Sequence, residues 1–393
     1  MKARERFNPP RLKTVYLDYN ATTPLDPEVK AAMEPFLTET WGNPSSIHHI
    51  GRRARACLDA FRERAAKVLS CKPSEITFTS GGTEANNLAI LGAARALRKR
   101  GNHLITSAIE HHAVLDCFRA LQKWEEFDLT ILPVDAEGRI RPADLAAALR
   151  PETVLVSIMA ANNEIGTLQP VAECGTLCRE RGILFHTDAV QWFGKLPFSG
   201  VNVFNADLVS LCAHKFHGPK GAGLLYSRSP FHPQPVFWGG AQENEQRAGT
   251  ENLAAIAGLV AAMEKFINPP VFHFQECLDW TRHLRAVIST IQGCHLLGSE
   301  TAALPNTVAF ATEKTDSITL LAALDLEGIC ASAGAACSAG SLEPSHVVSA
   351  LGLGEGLARS LVRFSLGREN SSEQIARVGE LLPSVILRAQ SPQ

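Results

Sequence analysis

The chain is predicted to be an α/β protein with a mainly parallel sheet, on two observations. Short apolar, β-branched runs alternate with longer helix-period stretches from about residue 60 to about residue 260, the rhythm of strands joined by crossover helices. Most of the runs lack a polar face, as strands covered by helices on both sides require. In chain order, the helix LDAFRERAAKVL (58–69) precedes the strand EITFT (75–79), and the helix ANNLAILGAARALRKRG (85–101) leads into HLITS (103–107). TVLVSIM (153–159) reads as a strand, VAECGTLCRERG (171–182) as a helix, and ILFHTD (183–188), DLVSL (207–211) and GLLYS (223–227) as strands. Two of the helices end in glycine, which most easily takes the left-handed turn that stops a helix.

INPPVFH (267–273) breaks this rhythm with adjacent prolines, and a smaller set of strands and helices resumes after it. The expected organisation is a large domain over 15–262 and a small α+β domain over 263–393, with 1–14 packing against the small one. The last helix, SSEQIARVGELLPSVILRA, has Ser371 and Gln374 in capping-box register and Pro383 where a kink is expected.

With 45% of its 393 residues hydrophobic and 20% charged, the chain can bury a substantial core. A formal charge of −2 gives no overall field that recruits nucleic acid or an anionic membrane, so an acidic ligand needs a local site. No apolar run is long enough to span a bilayer, and the first residues lack the apolar core of a secretory signal. The expectation is a soluble, cytoplasmic protein. MKARERFNPPRLK is basic but short, contains Glu5 and lacks serine, and reads as a solvated lead-in rather than a mitochondrial transit peptide. Ten scattered cysteines fit a reducing compartment. Cys174 and Cys178 have a metal-compatible spacing on a helix, but no second pair follows, so they read as core packing and no metal site is expected.

Ligands of such sheets bind beyond the carboxyl ends of the strands. TSGGTEANN (79–87) follows a strand and opens a helix. Gly81 and Gly82 permit close backbone approach, and the helix-start N–H groups with the Thr83 hydroxyl make an anion site suited to phosphate; an ordinary turn is the alternative. ILFHTDAVQ ends a strand in Asp188, with Gln191 three residues on. A buried carboxylate there needs a cation or several hydrogen bonds. A protonated pyridine nitrogen would serve, and a helix N-cap is the plainer reading. SLCAHKFHGPKGAGLLY (210–226) sets His214 and Lys215 after another strand. A desolvated lysine becomes an amine nucleophile toward an aldehyde, whereas most lysines are simply at the surface. Phosphate cradle, aspartate and lysine together are what pyridoxal phosphate requires.

These segments lie within longer ordered blocks: YLDYNATTPLDPEV (16–29), WGNPSSIHHIGRRAR (41–55), SAIEHHAVLD (107–116), ANNEIGTLQPV (161–171), QRAGTEN (246–252), CSAGSLEPSHVVSALGL (337–353) and VRFSLGR (362–368). In them the chain resembles the cysteine desulfurases, of the class V aminotransferase group of pyridoxal-phosphate enzymes. The resemblance implies the aspartate aminotransferase-like, fold type I PLP-dependent transferase fold. It implies that Lys215 forms the Schiff base, Asp188 pairs with the pyridine nitrogen, Gln191 binds the phenolic oxygen, and His111 stacks on the ring and moves protons. Gly82, Thr83 and His214 would hold the phosphate, joined by Thr250 from the second subunit of an obligate homodimer. Asn163 and Arg363 would bind the substrate α-carboxylate, the arginine through its planar fork.

The same resemblance makes Cys337 the acceptor of sulfur from L-cysteine. Its thiolate, with His111 as proton acceptor, would take the substrate sulfur as a persulfide, release L-alanine, and pass the sulfur to an iron–sulfur scaffold or thiolation protein. The run SAGAACSAGSLEPSH (332–346) offers little to pack, so a mobile segment is expected from roughly Gly334 to Ser341, with LEPSH as the point of re-entry. Two departures stand out. Cys212 occupies a position where many members carry a phosphate-binding serine, and a thiol is a weaker donor; a second catalytic thiol is the alternative. In GGAQENEQRAGTEN (239–252), Ala241 and ENEQ replace a run richer in glycine and arginine, with an altered dimer contact or site entrance expected. A selenocysteine lyase is the neighbouring alternative. A catalytically silent scaffold for cluster-assembly partners is the alternative of another class, against which stands the presence of Lys215, Asp188, His111 and Cys337 together. No direct contact with nucleic acid or membrane is expected.

Overall fold

The computed structural model describes residues 14–268, 271–334 and 344–390. Its centre is a seven-stranded sheet in the order β2 (Ile76–Thr79), β8 (Gly223–Ser227), β7 (Leu208–Cys212), β6 (Leu184–Asp188), β5 (Thr153–Ser157), β3 (His103–Ser107), β4 (Asp128–Leu132). Only β8 is reversed, antiparallel to both neighbours, and the remaining adjacent pairs are parallel. The cause of the reversal is length: a parallel return needs a crossover of a dozen residues or more, and the Gly-rich turn after Cys212 is too short for one.

All six strands expected from the apolar runs are present, five of them with every residue buried. The seventh, β4, was not expected. It is an edge strand whose residues are mostly half or fully exposed, so it presents no unbroken apolar run.

Around this sheet lie α3 (His49–Leu69), α4 (Gly82–Leu97), α5 (His112–Glu125), α6 (Pro142–Ala148) and α7 (Val171–Glu180). α3 begins well before the expected Leu58 because the His48 ring caps it, accepting from the Gly51 N–H at 3.2 Å. It ends at Ser70, left-handed at φ 54°. α8 (Leu253–Phe266) is buried almost all round, packed between α3 and the short α1 (Pro27–Met33) and α2 (Pro35–Thr38). Cys174 and Cys178 on α7 are fully buried in the core, where desolvation pushes the Cys174 thiol up to about 12.

The C-terminal part is built on an antiparallel sheet of β9 (Cys294–Leu297), β10 (Thr307–Thr312) and β12 (Val362–Ser365), with β10 in the middle. α9 (Phe274–Ser289), α10 (Ser317–Leu326), α11 (His346–Ala350), α12 (Glu355–Ala358) and α13 (Ser372–Gln390) surround it. The expected capping box is formed, Ser371 N–H to Gln374 Oε1 at 3.2 Å and Gln374 N–H to Ser371 Oγ at 3.4 Å, and α13 continues through Pro383. β1 (Val15–Tyr16) pairs in parallel with β11 (Ile329–Cys330), and Asp18 bridges to Ser365. The chain from Val15 to Ala21 therefore passes from the C-terminal part into the gap above the large sheet. Among the described residues no helix is long and apolar enough to cross a membrane.

Candidate active site

Five parallel strands deliver polar residues to one place as they leave the sheet. Gly82 and Thr83 follow β2, His111 follows β3, Asn163 follows β5, Asp188 ends β6, and Cys212, His214 and Lys215 close β7. Arg363 comes from the opposite side, on β12. All of these, with Gln191, line one cavity of about 210 Å³. Thr250 is exposed and does not line it. Cys337 lies outside the described residues.

The Asp188 carboxylate is 6% exposed and held at both oxygens. Asn86, on α4, donates to Oδ2 at 2.7 Å, and the Val190 N–H donates to Oδ1 at 3.0 Å. Each oxygen keeps a lone pair for a further donor. Lys215 Nζ donates to the backbone carbonyls of Asn20 and Ala21, both at 2.8 Å. Burial lowers the pKa of this amine, and the nearby Arg363 charge acts in the same direction. Burial likewise lowers His214, to about 4, with Lys215 adding to the effect; the ring meets Thr22 Oγ1 at 3.2 Å.

His111 is lowered by burial as well. It caps α5, its Nδ1 accepting the Ala113 N–H at 3.1 Å, so the neutral ring carries its hydrogen on Nε2. A proton moving onto His111 must displace that cap. Cys212 is buried at the mouth of the Gly81–Gly82 turn, and burial raises its thiol. A Cβ on Gly82 would meet Val190 Cγ2 at 3.0 Å, and Gly81 sits at φ +155°. The turn thus brings backbone, and no side chain, to the start of α4. No side chain caps that helix, and its first-turn N–H groups have no intrahelical acceptor.

Arg363 is 1% exposed. Its Nη1 donates to the carbonyls of Asn163 and Gly334, both at 2.8 Å, and its Nη2 to Asp18 Oδ1 at 2.7 Å. Arg363 Nε and Asn86 Oδ1 are buried with no hydrogen-bond partner among the described residues. An anion-binding helix start, an anchored carboxylate, a buried amine and two unsatisfied polar atoms around one cavity fit an aromatic aldehyde carrying a phosphate and a ring nitrogen.

Four further polar residues stand on or beside the cavity. Asn20 and Asn86 also line the cavity, and both stand inside segments already singled out, Asn86 three residues after Thr83 and hence on the same helix face. Lys195, four residues after Gln191, is 1% exposed behind it. Glu110, next to His111, is fully buried.

An aminotransferase class-V family model matches residues 15–378. The chain is 47% identical over 385 residues to a cysteine desulfurase IscS of Dictyoglomus turgidum, covering 97% of each chain. It is 45% identical to that of Methanosarcina thermophila, covering 97% of this chain and 94% of the relative. Among solved structures, a NifS-like protein superposes with a TM-score of 0.88 at 34% identity over 95% of this chain and all of the other. SspA in complex with cysteine superposes with a TM-score of 0.80 at 36% identity, over 91% of this chain and all of SspA.

Proposed function

The chain belongs to the aminotransferase class-V family and is a cysteine desulfurase, and from that premise we propose that its cavity holds pyridoxal phosphate and that Cys337 receives the sulfur of L-cysteine. The observation that carries this assignment is the convergence of Lys215, Asp188 and the open N-terminus of α4 on a single cavity. Once bound, pyridoxal phosphate supplies an electron sink that acidifies the substrate Cα–H and loosens the sulfur.

Each side chain then has a defined task. Lys215, whose buried amine has a lowered pKa, would tether the aldehyde and afterwards move the Cα proton. Asp188, oriented by Asn86, would accept from the ring nitrogen and favour its protonated form. The α4 N-terminus with Gly82, Thr83, Cys212 and His214 would hold the phosphate, and Thr250 of a second subunit would complete the cradle of a homodimer. Gln191 would donate to the phenolic oxygen, and His111 would face the ring. Arg363 and Asn163 take the α-carboxylate of L-cysteine. The Cys337 thiolate attacks the substrate sulfur; an S–S bond forms as the C–S bond breaks, and that electron pair stays with the carbon fragment, which leaves as L-alanine after protonation. The persulfide then passes to an acceptor protein of iron–sulfur assembly or thiolation.

Borohydride reduction of the holoenzyme followed by peptide mapping should place the pyridoxyl label on Lys215. Cys337→Ser should keep cofactor binding and lose persulfide formation. A label elsewhere, or undiminished alanine release by the serine variant, would overturn the assignment. Alanine release from cysteine and from selenocysteine, measured side by side, separates a desulfurase from a selenocysteine lyase.

A further inference from the structure

We propose that Lys195 is a positioning residue that fixes the Gln191 amide with its NH2 group toward the cavity. The inference rests on the reading that Gln191 serves the cofactor's phenolic oxygen.

Lys195 is 1% exposed, and placing an amine there is costly unless its N–H groups are satisfied. Nζ donates to Asn20 Oδ1 at 2.6 Å and to Gln191 Oε1. On the other side of the same amide, Gln191 Nε2 donates to the Asn20 carbonyl at 2.9 Å. A carbonyl cannot donate, and the amine offers its hydrogens, so flipping the amide would oppose like groups at both ends. The second Nε2 hydrogen remains for the cavity that Gln191 lines. Asn20 is itself fixed, since its Nδ2 donates to Thr307 Oγ1 at 2.9 Å and to the Asn163 carbonyl at 3.3 Å, which turns Oδ1 toward Lys195. With Lys195 replaced by an apolar residue, Oε1 is buried without a donor and one of the two constraints on the amide is gone.

The test follows the absorption of bound pyridoxal phosphate against pH in the holoenzyme, together with its dissociation constant. Gln191→Ala should raise the pH midpoint of the absorption change by about 0.5–1 unit, the worth of one hydrogen bond. Lys195→Met should reproduce most of that shift and weaken cofactor binding about threefold to tenfold, and Lys195→Arg, still a donor, should restore the wild-type midpoint. Where Lys195→Met does not fold, Lys195→Gln replaces it: its amide can donate or accept, so a smaller shift in the same direction is expected. A shift in Gln191→Ala with none in the folded Lys195 variant would overturn the positioning role and leave the Gln191 reading standing. No shift in Gln191→Ala would overturn both.

Discussion

Glu110 lies one residue before His111 with no exposed atom. Its Oε1 accepts from Ser107 Oγ at 2.6 Å and from the Met159 N–H at 2.9 Å, and its Oε2 has no partner among the described residues. Burial pushes the carboxyl up to about 8, with the charge of Asp188 adding to the rise, so near neutral pH it keeps its proton. In the unfolded chain the same group ionises near its ordinary value of 4.5. Between these values the folded state holds a proton the unfolded state has released, and stability falls as pH rises through that window. Glu110→Gln has no proton to lose. Its stability relative to wild type should therefore grow from pH 5 to pH 8, by roughly 1–3 kcal/mol, in chemical denaturation run across that range; a pH-independent difference would contradict the assigned ionisation. Lys215, Asp188 and Gln191 could be read from the chain because each follows an apolar strand. Glu110 and Lys195 could not, because what makes them unusual is burial imposed by neighbours from other elements.

Glu164 shows how elements hold the two ends of the stretch that carries Cys337. Its Oε2 accepts from Ser345 Oγ at 2.6 Å, and the same hydroxyl caps α11 through the Val348 N–H at 3.2 Å. At the other end, Gly334 lies against Glu164, with its carbonyl held by Arg363 and by Ser332 Oγ at 3.2 Å. Of the mobile segment expected from roughly Gly334 to Ser341, residues 335–341 lie outside the described residues, and Gly334 itself is held in place. It has φ +98°, and a Cβ there would stand 2.7 Å from Glu164 Oε2 and 2.9 Å from Leu361 Cδ2. Gly334→Ala should destabilise the protein by about 1–3 kcal/mol, measured as a lower denaturation midpoint with an unchanged slope; stability equal to wild type would mean the turn can be occupied without strain. The substituted run at 239–252 is likewise pinned: Glu243, Asn244 and Glu245 are all left-handed, and Glu243 meets Arg62 at 2.6 Å and the Phe78 N–H at 2.8 Å. Apolar runs made six of the seven strands of the large sheet legible. The starts of α3 and α5 were not, since histidines cap them in place of the usual serine, threonine or aspartate.

The two sheets are joined by polar contacts around the first residues after β1, and composition alone cannot show which residues make them. Asn20 meets Gln191 and Lys195 of the large sheet's side and Asn306, Thr307 and Ser365 of the other. Asp26 does the same with charge. Its Oδ1 accepts from Lys265 of α8 at 3.0 Å and its Oδ2 from Arg368, just beyond β12, at 2.8 Å. Burial pushes the Asp26 carboxyl up, but the hydrogen bonds from Lys265, Arg368 and the Val29 and Glu28 N–H groups outweigh it and hold the carboxyl at about 2, below its ordinary 3.8. A carboxylate depressed in the folded state stabilises fully above the unfolded value and loses that stabilisation as pH falls toward the folded one. Lys265 and Arg368 are partly solvated, 31% and 25% exposed, which discounts the contribution to about 1–2 kcal/mol. Asp26→Asn should therefore be less stable than wild type by that amount at pH 7, with the gap closing between pH 4 and pH 2 as the wild-type carboxylate is protonated. If denaturation shows the same gap at pH 7 and pH 2, the loss comes from the α1 cap rather than from the ion pairs that tie the two parts of the chain together.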